Sequence, residues 1–170
     1  MTAASIEAAV VAHRFPPSRW TICNRVSWGF MGLPYEADLM AVSKSGDLHE
    51  IEIKISAADF RVDANKRKWV LPPRIDFFWF GIPAELEHLA ALRCAVIGAG
   101  LLVWTPPTPE DATSRSAWPI SKGGIRVAMK PIRRRPRDRD PQKTAERRAE
   151  LARLIGLRYW SLRCGIMSWR

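Results

Sequence analysis

Hydrophobic and polar residues alternate along the chain with two different periods, which predict strands and helices. Ile51, Ile53 and Ile55 occupy every second position of an otherwise charged stretch. That period of two places the isoleucines on one face of a strand and the intervening charges on the other. Residues 2–14 carry apolar residues at helical spacing instead, and the two prolines that follow end the helix that this spacing predicts.

The same reasoning along the whole chain predicts six strands and four helices. The strands are expected at 20–28, 38–43, 48–56, 74–81, 100–105 and 125–132. The helices are expected at 2–14, 56–69, 83–92 and 142–163. The second helix opens with a capping box in which Ser56 is the N-cap. The order helix, three strands, helix, strand, followed by further elements, indicates an α/β domain with a mixed sheet.

Charge divides the chain into a neutral body and a basic C-terminal part. Residues 1–125 hold 13 Lys+Arg and 13 Asp+Glu, whereas residues 126–170 hold 14 and 4, so the second part carries the whole net charge of +10 (14 minus 4). We predict a core at 1–130, a basic linker rich in proline and arginine at 131–141, and a basic helical region at 142–170 that packs on the core or extends from it. Such a segment is typical of a protein that binds a polyanion, most simply nucleic acid. The alternative is a basic surface that is exposed to solvent and binds no partner.

Composition argues against several classes of protein. The apolar runs are too short to span a bilayer, and an acidic residue interrupts the apolar stretch at the N-terminus, so we expect no membrane association and no signal peptide. Cys23, Cys94 and Cys164 lie far apart, which argues against a disulfide framework and a structural zinc site. We therefore expect a cytoplasmic protein.

Two acidic residues on neighbouring strands are the first sign of chemistry. In an antiparallel hairpin, directly paired residues have a constant sum of positions and point to the same face. A three-residue loop that ends at Gly46 gives a sum of 90 and places Asp38 opposite Glu52, with Cβ atoms ~5 Å apart. A two-residue loop gives a sum of 91 and puts these carboxylates on opposite faces.

Opposed carboxylates repel each other unless a positive charge lies between them. Lys54, two positions from Glu52 on the same face, is one candidate for that charge. A divalent metal ion is the other candidate. Carboxylate oxygens without neighbouring histidine or cysteine ligands suit Mg²⁺ or Mn²⁺.

Asp38, followed about one hairpin later by Glu52-Ile53-Lys54, resembles the motif of the PD-(D/E)xK nuclease superfamily. Over a longer stretch the chain is similar to MmcB-like DNA-repair proteins, at residues 35–39, 43–46 and 50–56 and at the acids of 59–63. Alanine precedes Asp38 where the superfamily motif has proline. The resemblance implies a restriction-endonuclease-like core of order αβββαβ.

The resemblance also implies a role for each motif residue. Asp38 and Glu52 would hold the metal, the backbone carbonyl of Ile53 would add a ligand, and Lys54 would be catalytic. Many members use a further acid on the first helix as a ligand, and Glu7 is the acid of that helix in this chain.

Other polar residues around the motif are supporting candidates. Glu36 and Glu50 are predicted on the acidic face, where a solvent-exposed role is the alternative, and Lys66 follows on the next helix, whose end also favours cations through the helix dipole. A further set of basic residues is predicted to contact nucleic acid: Lys68, Arg133, Arg134, Arg135, Arg137, Arg147 and Arg148.

Motif, charge and resemblance together predict a Mg²⁺- or Mn²⁺-dependent nuclease that hydrolyses DNA phosphodiesters in repair or processing and joins the nucleoid when bound to DNA. One alternative is a catalytically silent DNA-binding or recruitment module of the same fold. Another is a basic RNA-binding protein in which the acids and Lys54 form a surface ion-pair network. A homodimer through the apolar face of 151–162 and an unidentified repair-protein partner are further hypotheses.

Overall fold

The computed structural model describes residues 2–26, 33, 35–63, 75–107, 123–135 and 140–163; at residues 63 and 158–163 the backbone alone is described. The statements below concern these residues. The predicted end of the second helix, the last two residues of the first predicted strand and most of the loop after residue 105 lie outside them.

Helices and strands follow one another in the predicted order. The helices are α1 (Ala3–His13), α2 (Ala57–Asp63), α3 (Glu87–Ile97) and α4 (Pro141–Arg163). The strands are β1 (Thr21–Val26), β2 (Ala37–Val42), β3 (Leu48–Ile53), β4 (Phe77–Pro83), β5 (Gly100–Thr105) and β6 (Gly124–Met129). No helix in the described part of the chain is long and apolar enough to cross a bilayer.

A mixed sheet joins the six strands in the order in which they follow along the chain. β1, β2 and β3 are antiparallel neighbours, β3, β4 and β5 run parallel, and β6 returns antiparallel to β5. Each parallel connection contains a helix, which is the usual form of a parallel crossover: α2 lies between β3 and β4, and α3 lies between β4 and β5. The protein is therefore a mixed α/β fold.

The third helix differs from its predicted bounds. The sequence places it at 83–92, whereas β4 includes Pro83, a 3₁₀ turn spans Ala84–Leu86, and α3 runs on to Ile97. Gly98 ends the helix in the left-handed conformation, with φ of +67°. A proline that fits the first turn of a helix also fits the end of a strand, which explains the early predicted start.

Helices cover both faces of the sheet and create two apolar clusters. On one face, Ile6 and Val10 of α1 pack with Ile51 and Ile53 of β3. On the other, side chains from three helices cover the sheet: Phe60, Ala90, Cys94 and Leu151. β3 lies between these two layers, and all six of its residues are buried. The face that carries the acids of β3 is therefore an interior face.

The C-terminal helix packs on the core. Leu151 of α4 is fully buried in the second cluster and Leu154 packs against it, whereas Ile155 and Leu157 stay 38% and 52% exposed. The apolar face considered for a homodimer is therefore used partly within the chain. The basic segment before the helix is attached too, because Ile132 N donates to the Gly98 carbonyl at 2.8 Å.

The turn between β2 and β3 supports the start of α4. Gly46 has φ of +82°, and a Cβ at this position would overlap Thr144 Oγ1. Substitution of Gly46 would therefore strain the backbone and displace the helix.

We predict that Gly46→Ala lowers the free energy of unfolding by more than about 1 kcal/mol, because alanine is disfavoured where φ is positive and its Cβ would overlap Thr144. Urea unfolding measures the change. Gly156→Ala is the matched control: a Cβ there meets nothing within 4 Å, and alanine should stabilise the helix by roughly 0.5–1 kcal/mol. Equal stability of Gly46→Ala and wild type would contradict the tight packing of this turn.

His49 lies in the aromatic part of the first cluster. Its Nδ1 accepts a hydrogen bond from Trp79 Nε1 at 3.0 Å, and the ring of Phe77 lies 4.6 Å from it between centroids. Burial lowers the pKa of His49 to about 3, so the folded protein holds this ring neutral at physiological pH.

We predict that His49 makes the protein less stable as the pH falls. The folded-state pKa lies below the ordinary value of 6.5, so between pH 6.5 and about 3 only the unfolded chain binds this proton. The free energy of unfolding should lose about 1.4 kcal/mol per pH unit in that window. Unfolding curves of His49→Gln should show a slope smaller by that amount. Identical slopes for His49→Gln and wild type would count against a neutral buried His49.

Candidate functional site

The β2–β3 hairpin has the register that places Asp38 opposite Glu52. Leu39 pairs with Ile51 and Val42 with Leu48, and each pair sums to 90. Ser43 N donates to the Asp47 carbonyl at 3.0 Å and closes the three-residue loop, whose left-handed residue is glycine. The predicted register is confirmed between Leu39–Ile51 and Val42–Leu48, and the same sum carried one position further places Asp38 opposite Glu52.

Asp38 is fixed to the end of β3 by a backbone contact. Its Oδ2 accepts a hydrogen bond from Ile53 N at 2.8 Å. The side chain is partly exposed, at the point where β2 begins and β3 ends. The carboxylate therefore lies beside the backbone of the Glu52-Ile53-Lys54 segment.

Glu52 and Lys54 form a buried ion pair. Lys54 Nζ donates to Glu52 Oε1 at 2.8 Å, and each residue is 4% exposed. Asp59 contacts the same ammonium from the first turn of α2, with Oδ1 at 3.5 Å from Nζ. Its own backbone N donates to Ser56 Oγ at 3.1 Å, which is the predicted N-cap contact. The helix cap therefore determines where this second carboxylate stands.

Glu50 lies two residues before Glu52 in β3, so both side chains are on the same face of the strand. It is fully buried, and its Oε2 accepts a hydrogen bond from Tyr35 Oη at 2.7 Å. Burial, together with the Glu50 carboxylate, raises the pKa of the Tyr35 hydroxyl well above its usual range. Tyr35 therefore stays protonated and acts as the donor.

The remaining predicted acids lie apart from this pair. Glu36 is exposed just before β2. Glu7 is partly buried on α1, the helix that packs on the opposite face of the sheet from Glu52. Within the described ranges, no group of three or more His, Cys, Asp and Glu side chains forms a metal-binding cluster. Glu7 therefore does not complete a three-acid site with Asp38 and Glu52.

Arg147 has a structural position in the C-terminal helix. It is 4% exposed, its Nη1 donates to the Gly46 carbonyl at 3.0 Å, and the same atom lies 3.8 Å from Asp76 Oδ2. Asp76 is itself 2% exposed, and its Oδ2 accepts from Leu48 N at 2.8 Å. Arg147 was predicted to contact nucleic acid, but its side chain points into the protein, toward the start of β3.

Arg133 joins the same network. Its guanidinium donates to Asp76 Oδ1 at 3.2 Å and to Asp47 Oδ1 at 2.5 Å, and it lies over the ring of Phe77 at 4.6 Å. The Arg134 backbone N donates to the Asp76 carbonyl at 2.8 Å. The segment predicted as a linker is thereby bound to the β2–β3 turn.

The other basic candidates differ in their access to solvent. Arg134 and Arg135 are partly buried, and Arg148 is exposed on α4. Lys66, Lys68 and Arg137 lie outside the described residues.

Sequence reasoning missed three features of the site. The role of Tyr35 as partner of Glu50 and that of Asp59 as partner of Lys54 have no periodic signal, although both lie in the stretch that carries the family resemblance. The third is Arg25 of β1, a non-glycine residue with a positive φ of 44°. An arginine at such a position gives no signal in the sequence.

Comparison with solved structures finds a similar fold in the SPO1766 protein of unknown function from Silicibacter pomeroyi, with a TM-score of 0.65. The two share 16% sequence identity, and the alignment covers 99% of this chain and 96% of that one. No family model and no curated protein matches the chain. The likeness shows that the two chains share a fold. It carries no information about the chemistry of the site.

We predict that Lys54 and Glu52 are energetically coupled. Lys54→Met should lower the free energy of unfolding by roughly 3–5 kcal/mol, because it leaves a buried carboxylate without its cation. Adding Glu52→Gln should restore much of that loss, since the charge that needed compensation is gone. Urea unfolding of both single variants and the double variant gives the coupling.

Lys44→Met, on the exposed turn of the same hairpin, is the control and should change stability by no more than about 0.5 kcal/mol. Additive effects of Lys54→Met and Glu52→Gln would show that the pair contributes no coupling.

Proposed function

We propose that this protein is a metal-dependent DNA nuclease of the PD-(D/E)xK type, with a restriction-endonuclease-like core resembling that of MmcB-like DNA-repair proteins. The observation that carries the proposal is the juxtaposition of Asp38, Glu52 and Lys54. They come from two adjacent strands and meet where β2 begins and β3 ends. The motif can act as a metal site only if these three side chains lie close together in this way.

The order of elements supports the proposal. α1, three antiparallel strands, α2 and the parallel strand β4 give the αβββαβ order that the resemblance implies. The motif residues lie at the end of β3 from which the chain enters α2.

The donor set fits Mg²⁺ or Mn²⁺. Mg²⁺ is commonly held by one or two carboxylates together with water and substrate phosphate. Asp38 and Glu52 supply two such carboxylates, at positions that the hairpin register places opposite each other when it is extended by one pair. Both backbone groups of a strand residue point toward the same neighbouring strand. Because Ile53 N donates to Asp38, the Ile53 carbonyl belongs to that side of β3 as well.

The bound metal would supply a water of lowered pKa and positive charge for the phosphate. The residues of the chain orient the reactants. Asp38 is held in place by Ile53 N, and Glu52 by the Lys54 ammonium. The Lys54 Nζ donates hydrogen bonds, so in the reaction it orients the attacking water or stabilises charge on the phosphate oxygens. Asp59 holds that ammonium from the side of α2.

The basic surface supports binding to a polyanion. Arg148 is exposed on α4, and Arg135 lies in the segment that precedes it. Contacts of this kind bind phosphates without reading sequence, so DNA affinity should fall steeply with salt.

One observation favours the catalytically silent module instead. Lys54 already supplies the positive charge that two facing carboxylates require, at 2.8 Å from Glu52 and nearly excluded from solvent. An ion pair of this kind holds the site together without a metal ion. A protein that uses its acids in this way would bind DNA and leave it intact.

Incubation with plasmid and branched DNA in Mg²⁺, Mn²⁺ or EDTA tests the proposal. We predict metal-dependent cleavage that falls about 100-fold or more in Asp38→Asn, Glu52→Gln and Lys54→Ala, while DNA binding persists. Asparagine and glutamine keep a hydrogen-bond acceptor for Ile53 N and Lys54 Nζ, so the first two variants should stay folded, which circular dichroism checks.

Lys44→Ala removes a cation from the opposite end of the same hairpin and should cleave like wild type. Binding without cleavage under every metal condition, unchanged in these variants, would identify the silent module. Preference for RNA over DNA would support the RNA-binding alternative.

A further inference from the structure

The sheet fixes the backbone of Lys54 and leaves its side chain as the part that can move. Lys54 N donates to the Gly81 carbonyl of β4 at 3.0 Å, directly after the end of β3. The residue is 4% exposed, and a buried ammonium needs a compensating partner wherever it stands. Any displacement of this ammonium must therefore end at another polar group close by.

Two carboxylates of unequal exposure lie beside the ammonium. Glu52 Oε1 is 2.8 Å from Nζ, the distance of a strong charge-assisted hydrogen bond, and the Glu52 side chain is 6% exposed. Asp59 Oδ1 is 0.7 Å further from the same atom (3.5 minus 2.8), and the Asp59 side chain is 45% exposed. A displacement of about that length toward Asp59 would bring the ammonium to hydrogen-bonding distance of this second carboxylate.

The two acids depend on Lys54 to different degrees. Glu52 is nearly excluded from solvent and needs a cation beside it, whether this is the ammonium or a metal ion. Asp59 has water around it, and its backbone is held by the hydrogen bond from Asp59 N to Ser56 Oγ. Asp59 therefore keeps its position without the ammonium and is able to accept it when Glu52 has another cation.

We propose that Asp59 is a positioning residue that takes over the Lys54 ammonium when Glu52 binds the metal ion, and this inference rests on the proposed function. Without the metal, Lys54 compensates Glu52. With Glu52 engaged in the metal site, the ammonium shifts to Asp59, where it stays within the site and no longer competes for Glu52. The Ser56 cap fixes this second position of the ammonium, because it fixes Asp59.

Asp59→Asn tests the role, because it keeps the size of the side chain and removes its charge. The ammonium then stays with Glu52, so the affinity for Mn²⁺ without DNA, measured by electron paramagnetic resonance of the free ion, should fall about 2- to 5-fold, as expected for one partly exposed ion pair. The cleavage rate at saturating Mn²⁺ should fall about 10-fold, because the lysine is misplaced. The affinity for DNA in EDTA should not fall.

The same substitution in a Lys54→Ala background separates an action through the lysine from a direct action on the metal. Asp59→Asn should leave the Mn²⁺ affinity of that protein unchanged, because no ammonium competes for Glu52. Asp59→Glu keeps the charge and should match wild type in Mn²⁺ affinity and cleavage, and this rescue decides the question if the Lys54→Ala protein does not fold. Glu85→Gln removes an exposed acid that precedes α3 and should change neither measurement.

Equal Mn²⁺ affinity of Asp59→Asn and of a wild type that binds Mn²⁺ would overturn the inference and leave the proposed function intact. So would an equal loss of affinity in both backgrounds, which would show that Asp59 acts on the metal directly. Failure of Asp59→Glu to restore the affinity would indicate a structural role and would overturn the inference as well. Absence of both Mn²⁺ binding and cleavage in the wild type would overturn the function and the inference together.

Discussion

The geometry of the site depends on the ion pairs that the Lys54 ammonium forms with Glu52 and Asp59. Glu52 points into a face of the sheet that helices cover, and a carboxylate is tolerated there only with a cation and hydrogen bonds beside it. Asp59 reaches the same ammonium because the Ser56 cap fixes the first turn of α2. The N-terminus of one helix and the end of one strand are thereby joined through a single side chain. This contact sets the geometry of whatever chemistry the site performs.

The same constraint acts at the other end of β3. Asp76 is buried beside Leu48, and Arg147 and Arg133 of the basic C-terminal region compensate its charge. The neutral body and the basic arm are therefore not separate in the folded protein, because arginines of the arm contact an acid of the body. Part of the arm's charge balances acids of the body, and these contacts, together with the burial of Leu151, hold α4 on the core. The net charge available to a polyanion comes from exposed residues such as Arg148.

Much of the fold was predictable because it depends on local chemistry. Strand period, the prolines and the Ser56 cap gave the order of elements, and the left-handed Gly46 decided the hairpin register and hence the pairing of Asp38 with Glu52. Burial was not predictable in the same way. Whether the acidic face of β3 meets solvent depends on helices that pack from distant parts of the chain. The pairing of Asp76 with Arg147 spans 71 positions (147 minus 76) and leaves no local pattern.

Burial also determines how a substrate would reach the acids under the proposed function. Glu52 and Lys54 are nearly excluded from solvent, whereas Asp38 is partly exposed, the Asp59 side chain is 45% exposed and Arg25 is exposed. Under the proposed function, a phosphate would therefore meet Asp38 before it meets Glu52 or Lys54. Under the proposed function, a metal ion held by Asp38 and Glu52 would replace Lys54 as the positive charge beside Glu52, and that exchange would leave the Lys54 ammonium for the reactants. A chain in which that exchange is unfavourable keeps the ion pair closed and binds DNA without cutting it. The balance between these two countercharges separates the nuclease from the silent module, and it is set by three residues: Glu52, Lys54 and Asp59.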